Sequence, residues 1–225
     1  MSSRTEATLI PWDPLSEPHR ALLVKQRVEC SWDMEMVQEI WRDEQIRGDK
    51  CIYWIVLPVD ELVGGGERET LMDTAASISA TPRQPTQAEF IPVGHIALDS
   101  NNKKAEKVDL GIGSEKVFWV KNFFVRHAFQ SNGIGRAAMD EIERIAVREP
   151  LCAKTLMLDT VEREDQLREE FAKATYGRVP KIPNQDWYRS RGYGCLKIVQ
   201  NYYDVPDKNG KIWDTKTVFM RKDLQ

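Results

Sequence analysis

The segment from Val117 to Glu149 constrains the fold more than any other part of the sequence. Val117–Val125 is rich in apolar residues at positions that face both sides of a strand, which predicts a strand buried on both faces. Apolar residues then recur at helical spacing from Gly133 to Glu149, and Pro150 follows directly. The sequence therefore predicts a strand, a glycine-containing turn at 130–135 and a helix in immediate succession.

The turn between this strand and this helix has the chemistry of an anion site. The first turn of a helix leaves four backbone N–H groups without intrahelical partners, and the peptide dipoles give that end about half a positive charge. Gly133 and Gly135 lack the β-carbons that would keep a diphosphate away from those donors. A glycine pair also occurs as a simple helix cap, so the pair alone leaves a phosphate site and a structural turn both open.

The rest of the chain alternates between helical and strand patterns. A first helix is predicted to begin at Pro18, and a second to be capped by Ser31 or Asp33 and to end at Gly48. The other predicted elements are, in chain order, a short strand around Thr8–Ile10, a strand at Cys51–Val59 buried on both faces, strands at Pro92–Leu98 and Thr155–Leu158, helices at Glu162–Tyr176 and Asn184–Arg191, and closing strands at Leu196–Tyr203 and Ile212–Arg221.

Two segments do not fit this alternation. Residues 1–16 are polar and interrupted by prolines, so we expect an N-terminal lead-in. Residues 64–90 open with three glycines and show no apolar period, which predicts a flexible insertion. The length of 225 residues leaves room for one large domain, which we expect at 17–223.

Composition and charge exclude several classes of partner. The net charge of -3, with 32 basic against 35 acidic residues, lacks the basic excess of most nucleic-acid-binding proteins, so no nucleic acid is expected. The longest apolar run, Cys51–Leu57, is far shorter than the roughly 18 residues that cross a bilayer, so no membrane partner is expected. The scattered cysteines and histidines predict reduced thiols, no metal site and a cytoplasmic protein, with the nucleus not excluded.

Two motifs give the chain a family resemblance. The stretch F-F-V-R-H-A-F-Q-S-N-G-I-G-R-A-A resembles the acetyl-coenzyme A signature of the GNAT superfamily of N-acyltransferases, with Gln130, Gly133 and Gly135 at the defining positions of R/Q-x-x-G-x-G/A. Downstream, D-W-Y-R-S-R-G-Y is similar to the family's F-Y-x-x-x-G-F helix, with Trp187 and Tyr188 as the aromatic pair. The order of predicted elements agrees with the family over nearly the whole chain.

This resemblance implies both a fold and a cofactor site. The fold is α/β (α+β), a single GNAT-like domain with a central mixed, mostly antiparallel twisted sheet of about six or seven strands and about four helices. The main chain of the signature strand is expected to bind the pantetheine arm of acetyl-CoA, and the amides of the following loop are expected to bind its pyrophosphate. The resemblance also implies that the signature strand and the strand ending at Leu158 splay apart to admit the cofactor, which a bulge would achieve. The implied cofactor-binding residues are Phe123, Phe124, Val125, Gln130, Ser131, Asn132, Gly133, Ile134, Gly135 and Arg136.

The implied reaction is acetyl transfer from acetyl-CoA to a primary amine, by direct attack on the thioester within a ternary complex. Tyr188, at the family's tyrosine position, is the candidate to protonate the leaving sulfur. Many relatives carry a glutamate on or beside the signature strand, but Phe118–Val125 contains no acid. Asp159 therefore enters as a candidate base acting through water.

In this fold the acceptor pocket is formed by the first two helices, the loop between them and the final hairpin. Glu29, Trp32 and Tyr202 fall in these parts of the chain and are the candidate substrate-binding residues. The implied partner is a small-molecule or peptide amine, and the expected assembly is a monomer or a homodimer.

Two other interpretations compete with this one. G-I-G-R-A-A also resembles a dinucleotide-binding fingerprint with Asp159 on the ribose, but seven residues separate Val125 from Gly133, where that fingerprint follows its strand almost at once. A non-catalytic acyl-CoA-binding or regulatory module with a GNAT fold would keep the glycines and lose the proton-transfer groups.

Overall fold

A computed structural model of the chain describes residues 5–58, 69–113, 116–207 and 209–224. The chain divides into two compact units. The first comprises residues 1–102 and 116–154, and the second comprises residues 103–115 and 155–225.

The first unit is built on four antiparallel strands that pair in the order in which they are named. They are β1 (Thr8–Pro11), β2 (Lys50–Val56), β3 (Pro92–Asp99) and β4 (Val117–Val125). Every residue of β2 is buried, as the apolar run predicts for a strand covered on both faces.

The helical segments that pack on this unit begin with α1 (Glu17–Cys30), which carries proline in its first turn. A π-helical turn at Val37–Trp41 then leads into α2 (Arg42–Arg47), which ends at Gly48 with φ 82°. The predicted cap of this second helix is wrong. Ser31 ends α1 with φ 65° and Asp33 has φ 52°, so both lie in the turn that reverses the chain.

Aromatic and aliphatic side chains fill the space between these helices and the strands. Trp41 from the π-turn and Trp54 from β2 are both buried in this cluster. The cluster as a whole contains Trp12, Leu22, Leu23, Val37, Trp41, Ile52, Trp54, Val56, Leu71, Phe90 and Ala97.

The predicted insertion contains regular structure in the part that the structure describes, residues 69–90. Leu71–Met72 pairs with Glu89–Phe90, and Ser77–Ile78 pairs with Thr81–Pro82, so two short hairpins replace the expected irregular segment. The carboxylate of Asp73 holds them together, because it accepts hydrogen bonds from both Arg83 and Thr86. These bonds lower the pKa of Asp73 to about 2. Residues 64–68 of the predicted insertion lie outside the described residues.

Helix α3 (Ile134–Ala146) follows the loop after β4 and is shorter than the predicted 133–149. It packs against β1, β3 and β4 of the same unit. Ala138, Met139 and Ile142 are fully buried, which is the apolar stripe that the helical spacing predicts.

The second unit contains three antiparallel strands in the order β5 (Thr155–Val161), β7 (Lys216–Asp223), β6 (Gly194–Gln200). The single helix predicted at Glu162–Tyr176 is divided into α4 (Arg163–Leu167) and α5 (Glu169–Tyr176), because Arg168 is extended at ψ 112°. Helix α6 (Asn184–Ser190) follows. The closing hairpin is also subdivided, since Val205–Pro206 pairs with Ile212–Trp213 before β7 begins.

The predicted α/β class is confirmed, with seven long strands and six α-helices among the described residues. None of the helices described is long and apolar enough to span a membrane. The four cysteines all fall within the described ranges and form no disulfide there.

Candidate active site

The loop after β4 is held in place by its own side chains. A short 3₁₀ turn at His127–Phe129 follows Arg126, and the ring of Phe129 is buried. The side-chain amide of Gln130 then donates a hydrogen bond to the carbonyl of Val125 at 2.9 Å. Gln130 therefore fixes the distance between the end of the strand and the start of the helix.

The chain enters α3 through residues with left-handed backbone conformations. Ser131 has φ 71° and Gly133, the N-cap of α3, has φ 78°. The first intrahelical bond runs from the N–H of Ala137 to the carbonyl of Gly133, so the N–H groups of the residues between them belong to the first turn. A left-handed residue followed by a helical one directs successive N–H groups toward one point, which is the geometry of an anion-binding nest.

Gly133 and Gly135 are glycines for different reasons. Gly133 has a positive φ that other residues rarely adopt. Gly135 has helical backbone, and a Cβ built on it would meet only the Cζ of Phe123 at an ordinary 3.5 Å. Protein packing therefore does not require glycine at 135, whereas a ligand lying against the helix end does. The cradle formed by these residues fits a diphosphate.

Strand β4 carries a bulge in its pairing with β3. His95 pairs with Phe124 and Ala97 pairs with Lys121, so two residues of β4, Asn122 and Phe123, stand opposite one residue of β3. Asn122 has φ 50°, and in a bulge of this kind the extra residue is left outside the regular ladder.

The expected cofactor residues of β4 differ in the roles of their side chains. Phe123 is half-buried beside Gly135, whereas Phe124 is a core residue with its ring 5.7 Å from that of His95 and 5.6 Å from that of His127. Only the main chain of Phe124 is thus suited to a ligand. Of the remaining loop residues, Ser131, Asn132 and Arg136 are exposed and Ile134 is buried.

Glu29 lies against the start of the loop. Its carboxylate accepts from the Nε of Arg126 at 3.1 Å and from the N–H of His127 at 2.7 Å. Glu29 therefore ties the end of α1 to the end of β4, and this contact is not evident from the sequence because 97 residues separate Glu29 from Arg126.

Trp32 lies in the turn after α1, and the buried Arg27 orders that turn. The Nε of Arg27 donates to the carbonyl of Trp32 at 2.8 Å, and its Nη1 lies 3.3 Å from the Nε2 of His95. Burial and the guanidinium of Arg27 lower the pKa of His95 well below its usual value, so His95 is neutral at physiological pH. Its Nδ1 is then the protonated nitrogen and donates to the amide oxygen of Gln26 at 2.8 Å.

In the second unit, Tyr188 lies on α6 among aromatic neighbours. Its ring centroid is 4.9 Å from that of Trp187 and 5.9 Å from that of Tyr193. Burial, with a smaller contribution from the negative charge of Asp159, raises the pKa of Tyr188. The phenol is therefore protonated at neutral pH and is a weaker acid than an ordinary tyrosine.

Asp159 on β5 and Tyr202 after β6 belong to the same unit. The phenol of Tyr203 donates to the carboxylate of Asp159 at 3.0 Å, and the rings of Tyr202 and Tyr203 are in edge contact at 4.6 Å. The ammonium of Lys104 lies 4.9 Å from the ring of Tyr202 and 4.1 Å from that of Tyr203. Tyr203 and Lys104 thus contact the predicted residues in a way that the sequence does not reveal.

Two further residues of the site, Gly94 and Asn122, could have been recognised from the sequence. Gly94 is an isolated glycine within β3, and such a glycine often marks a close backbone approach. A Cβ at Gly94 would lie 2.3 Å from the carbonyl oxygen of Phe124, so β3 and β4 approach each other only because this side chain is missing. Asn122 is a polar residue in an apolar strand and is the bulged position.

Among the residues described, no group of three or more His, Cys, Asp and Glu side chains is arranged to hold a metal ion.

Comparison with known proteins adds to this geometry. The model of the Acetyltransferase (GNAT) family matches residues 22–176, which is more than half of the chain. No curated protein sequence matches significantly.

Solved structures resemble the chain over almost its full length. Arabidopsis thaliana NAA60 in complex with acetyl-CoA has a TM-score of 0.54 at 11% identity, covering 97% of this chain and 98% of its own. An aminoglycoside 6'-N-acetyltransferase complexed with coenzyme A has 0.51 at 13%, covering 96% of each chain. Spermidine/spermine N-acetyltransferase SpeG from Vibrio cholerae has 0.53 at 9%, covering 97% of this chain and 92% of its own. At these identities the likeness concerns the fold.

Proposed function

Because the chain belongs to the GNAT acetyltransferase family, we propose that it transfers an acetyl group from acetyl-CoA to a primary amine within a ternary complex. Residues 17–223 are the proposed catalytic domain. Structurally similar proteins are solved with acetyl-CoA or coenzyme A, which supports acetyl-CoA as the co-substrate.

The single observation that carries this proposal is the loop at the start of α3. Gly133 turns the chain so that the N–H groups of the first helical turn converge, and Gly135 leaves open the space that a side chain would fill. A diphosphate bound there gains both hydrogen bonds and the favourable helix dipole. The proposed cofactor residues are therefore the main chain of Phe123–Val125 and the loop Gln130–Arg136.

Acetyl-CoA supplies an activated acyl group, and the protein supplies positioning and proton transfer. The amine nitrogen forms a bond to the thioester carbonyl carbon, the carbon–sulfur bond breaks, and the sulfur takes up a proton. Tyr188 is the proposed proton donor, because it occupies the tyrosine position of the family's F-Y-x-x-x-G-F motif. A backbone N–H of the β4 bulge is the proposed donor to the carbonyl oxygen as that oxygen gains negative charge.

The requirement for a base depends on the acceptor. At about 1.36 kcal/mol per pKa unit, a primary alkylamine with a pKa near 10.4 needs about 4–5 kcal/mol to lose its proton at pH 7. An α-amino group needs only about 1 kcal/mol. Asp159 is the proposed base and acts through water, since one of its carboxylate oxygens already accepts from Tyr203.

The proposed acceptor is a small-molecule or peptide amine. Two similar structures are named for aminoglycoside and spermidine/spermine acetylation, and both of these acceptor classes carry primary amines. Trp32 and Tyr202 are the better candidates for binding it, because the carboxylate of Glu29 is already engaged by Arg126 and His127. The protein is proposed to work as a monomer or a homodimer.

The test is release of free coenzyme A thiol from acetyl-CoA in the presence of a panel of amines that covers polyamines, aminoglycosides and peptide N-termini. Thiol release above the amine-free rate, with acetylated amine detected by mass spectrometry, is the expected result. Binding of acetyl-CoA without release for any amine would instead support a non-catalytic acyl-CoA-binding module.

A further inference from the structure

Lys50 is a buried cation in the first unit to which the proposed reaction assigns no role. Its side chain is only 4% exposed, although it carries a charge. The ammonium donates to both carboxylate oxygens of Asp99, at 2.8 and 2.6 Å, and to the side-chain oxygen of Asn122 at 3.0 Å. A buried ammonium is costly unless its donors are satisfied, and here three acceptors surround it.

The third acceptor distinguishes this group from an ordinary cross-strand ion pair. Lys50 and Asp99 are direct neighbours on β2 and β3, so their contact requires no other residue. Asn122, by contrast, is on β4 and is the bulged residue with φ 50°. The contact with Lys50 therefore fixes the side chain of Asn122, whose backbone departs from the regular pairing of β3 with β4.

The π-helical turn before α2 supplies the cover over this group. Its last residue, Trp41, is buried, with its ring centroid 5.0 Å from the ammonium of Lys50 and 5.4 Å from the guanidinium of Arg27. π-Helical turns are rare and occur frequently at functional sites. This one brings an aromatic ring to the buried cation.

We propose that Lys50 is a positioning residue, which holds Asn122 and thereby fixes the bulge amides at Asn122–Phe123 that stabilise the carbonyl oxygen during acetyl transfer. The proposal rests on the proposed function and extends it to a residue that does not touch the substrate. A hydrogen-bond donor that is displaced even slightly from the developing charge loses most of its effect on rate.

Two substitutions separate positioning from stability. In Lys50→Met, kcat is expected to fall about 10- to 100-fold, and the KM for acetyl-CoA is expected to change by a smaller factor. The loop Gln130–Arg136 is unaltered in this variant, whereas the main chain of Phe123 belongs to the bulge. Ile52→Val is the matched control, since Ile52 lies on the same strand, is buried and contributes to the same cluster. It should lose stability without loss of kcat.

Substitutions at Asn122 separate its backbone conformation from its contact with Lys50. Asn122→Gly permits the positive φ but removes the acceptor, whereas Asn122→Asp retains an acceptor and tolerates the same φ. The kcat of Asn122→Asp is expected to exceed that of Asn122→Gly by about threefold or more.

A measurement on the ligand-free protein completes the test. Hydrogen exchange of the Asn122 and Phe123 amides should be faster in Lys50→Met than in the wild type and unchanged in Ile52→Val. Wild-type protein that releases no thiol would refute the proposed function itself. An active wild type with unchanged kcat and unchanged exchange in Lys50→Met, or equal rates for the two Asn122 variants, would refute only the role of Lys50.

Discussion

Tyr188 shows how the surroundings of one residue change the acidity of its side chain. Burial and the nearby carboxylate of Asp159 both disfavour its phenolate, so the pKa of Tyr188 is raised. A tyrosine in these surroundings keeps its proton at neutral pH and is a weaker acid than an exposed tyrosine. The sequence identifies this position through a family motif, whereas the direction in which its pKa shifts follows only from the folded surroundings.

Replacing Tyr188 with phenylalanine is expected to lower kcat by about 100-fold or more, which is the usual contribution of a general acid. Steady-state kinetics measures the loss of kcat. A binding titration of acetyl-CoA should give an unchanged dissociation constant. Tyr176→Phe is the matched control, since burial also raises the pKa of Tyr176, to about 12, but Tyr176 is on α5 and has no proposed role. Full activity in Tyr188→Phe would remove Tyr188 from the mechanism.

At the scale of elements, the main chains of β3 and β4 approach each other closely at Gly94. A Cβ at Gly94 would lie 2.3 Å from the carbonyl oxygen of Phe124 and 3.0 Å from the Cα of Val125, both of which are backbone atoms. Backbone cannot move aside as a flexible side chain can. The position of the signature strand therefore depends on one glycine of its neighbour.

Gly94→Ala is expected to destabilise the protein by about 1–3 kcal/mol, as other overpacking substitutions do. Chemical denaturation measures this change in the free energy of unfolding. Gly113→Ala is the control, because a Cβ at Gly113 meets nothing within 4 Å and its φ is not positive. Equal stability of the two variants would contradict the close approach.

The elements that the sequence predicts well are those whose signal is local. The apolar run Cys51–Val56 of β2 and the apolar stripe of α3 are present as expected. The π-turn ending at Trp41 and the break at Arg168 were missed, because both interrupt a helical pattern that continues in the sequence. The hairpins of residues 69–90 were missed because polar contacts of Asp73, which leave no hydrophobic period, hold them together.

In the candidate site too, residues with a local sequence signal were predicted and those without one were missed. The glycine loop and Tyr188 were predicted, since each belongs to a contiguous motif. Two contacts were not predicted, because each joins residues far apart in sequence. They are the contact of Glu29 with Arg126 and that of Lys50 with Asn122.

At the scale of the whole molecule, two buried histidines link stability to pH. His19 accepts hydrogen bonds at Nδ1 from the N–H of Asp13 and the indole of Trp54, each at 3.1 Å, so its proton is on Nε2 and faces the carbonyl of Met72. Burial lowers the pKa of His19 and, more strongly, that of His95 below the ordinary 6.5. Both side chains are therefore neutral in the folded protein.

Stability is expected to decrease as the pH falls below 6.5, because the unfolded chain then takes up protons that the folded protein does not. The slope is up to about 1.4 kcal/mol per pH unit for each histidine. Asp73 does not contribute in this range, since its stabilisation is lost only as the pH falls from its ordinary pKa of 3.8 toward about 2. Urea denaturation from about pH 7.5 to pH 5 measures the slope, which His19→Gln should reduce. Stability that rises over this interval would contradict the assignment.

The central claim is that the loop at the start of α3 binds the diphosphate of acetyl-CoA, and calorimetric titration of acetyl-CoA into Gly135→Asp tests it most directly. A carboxylate in the first turn of a helix is favourable for the helix itself, so the variant should remain folded while excluding an anion. The affinity for acetyl-CoA is expected to fall about 100-fold or more, with thermal stability of the ligand-free protein unchanged. Equal affinity in wild type and Gly135→Asp would contradict the claim.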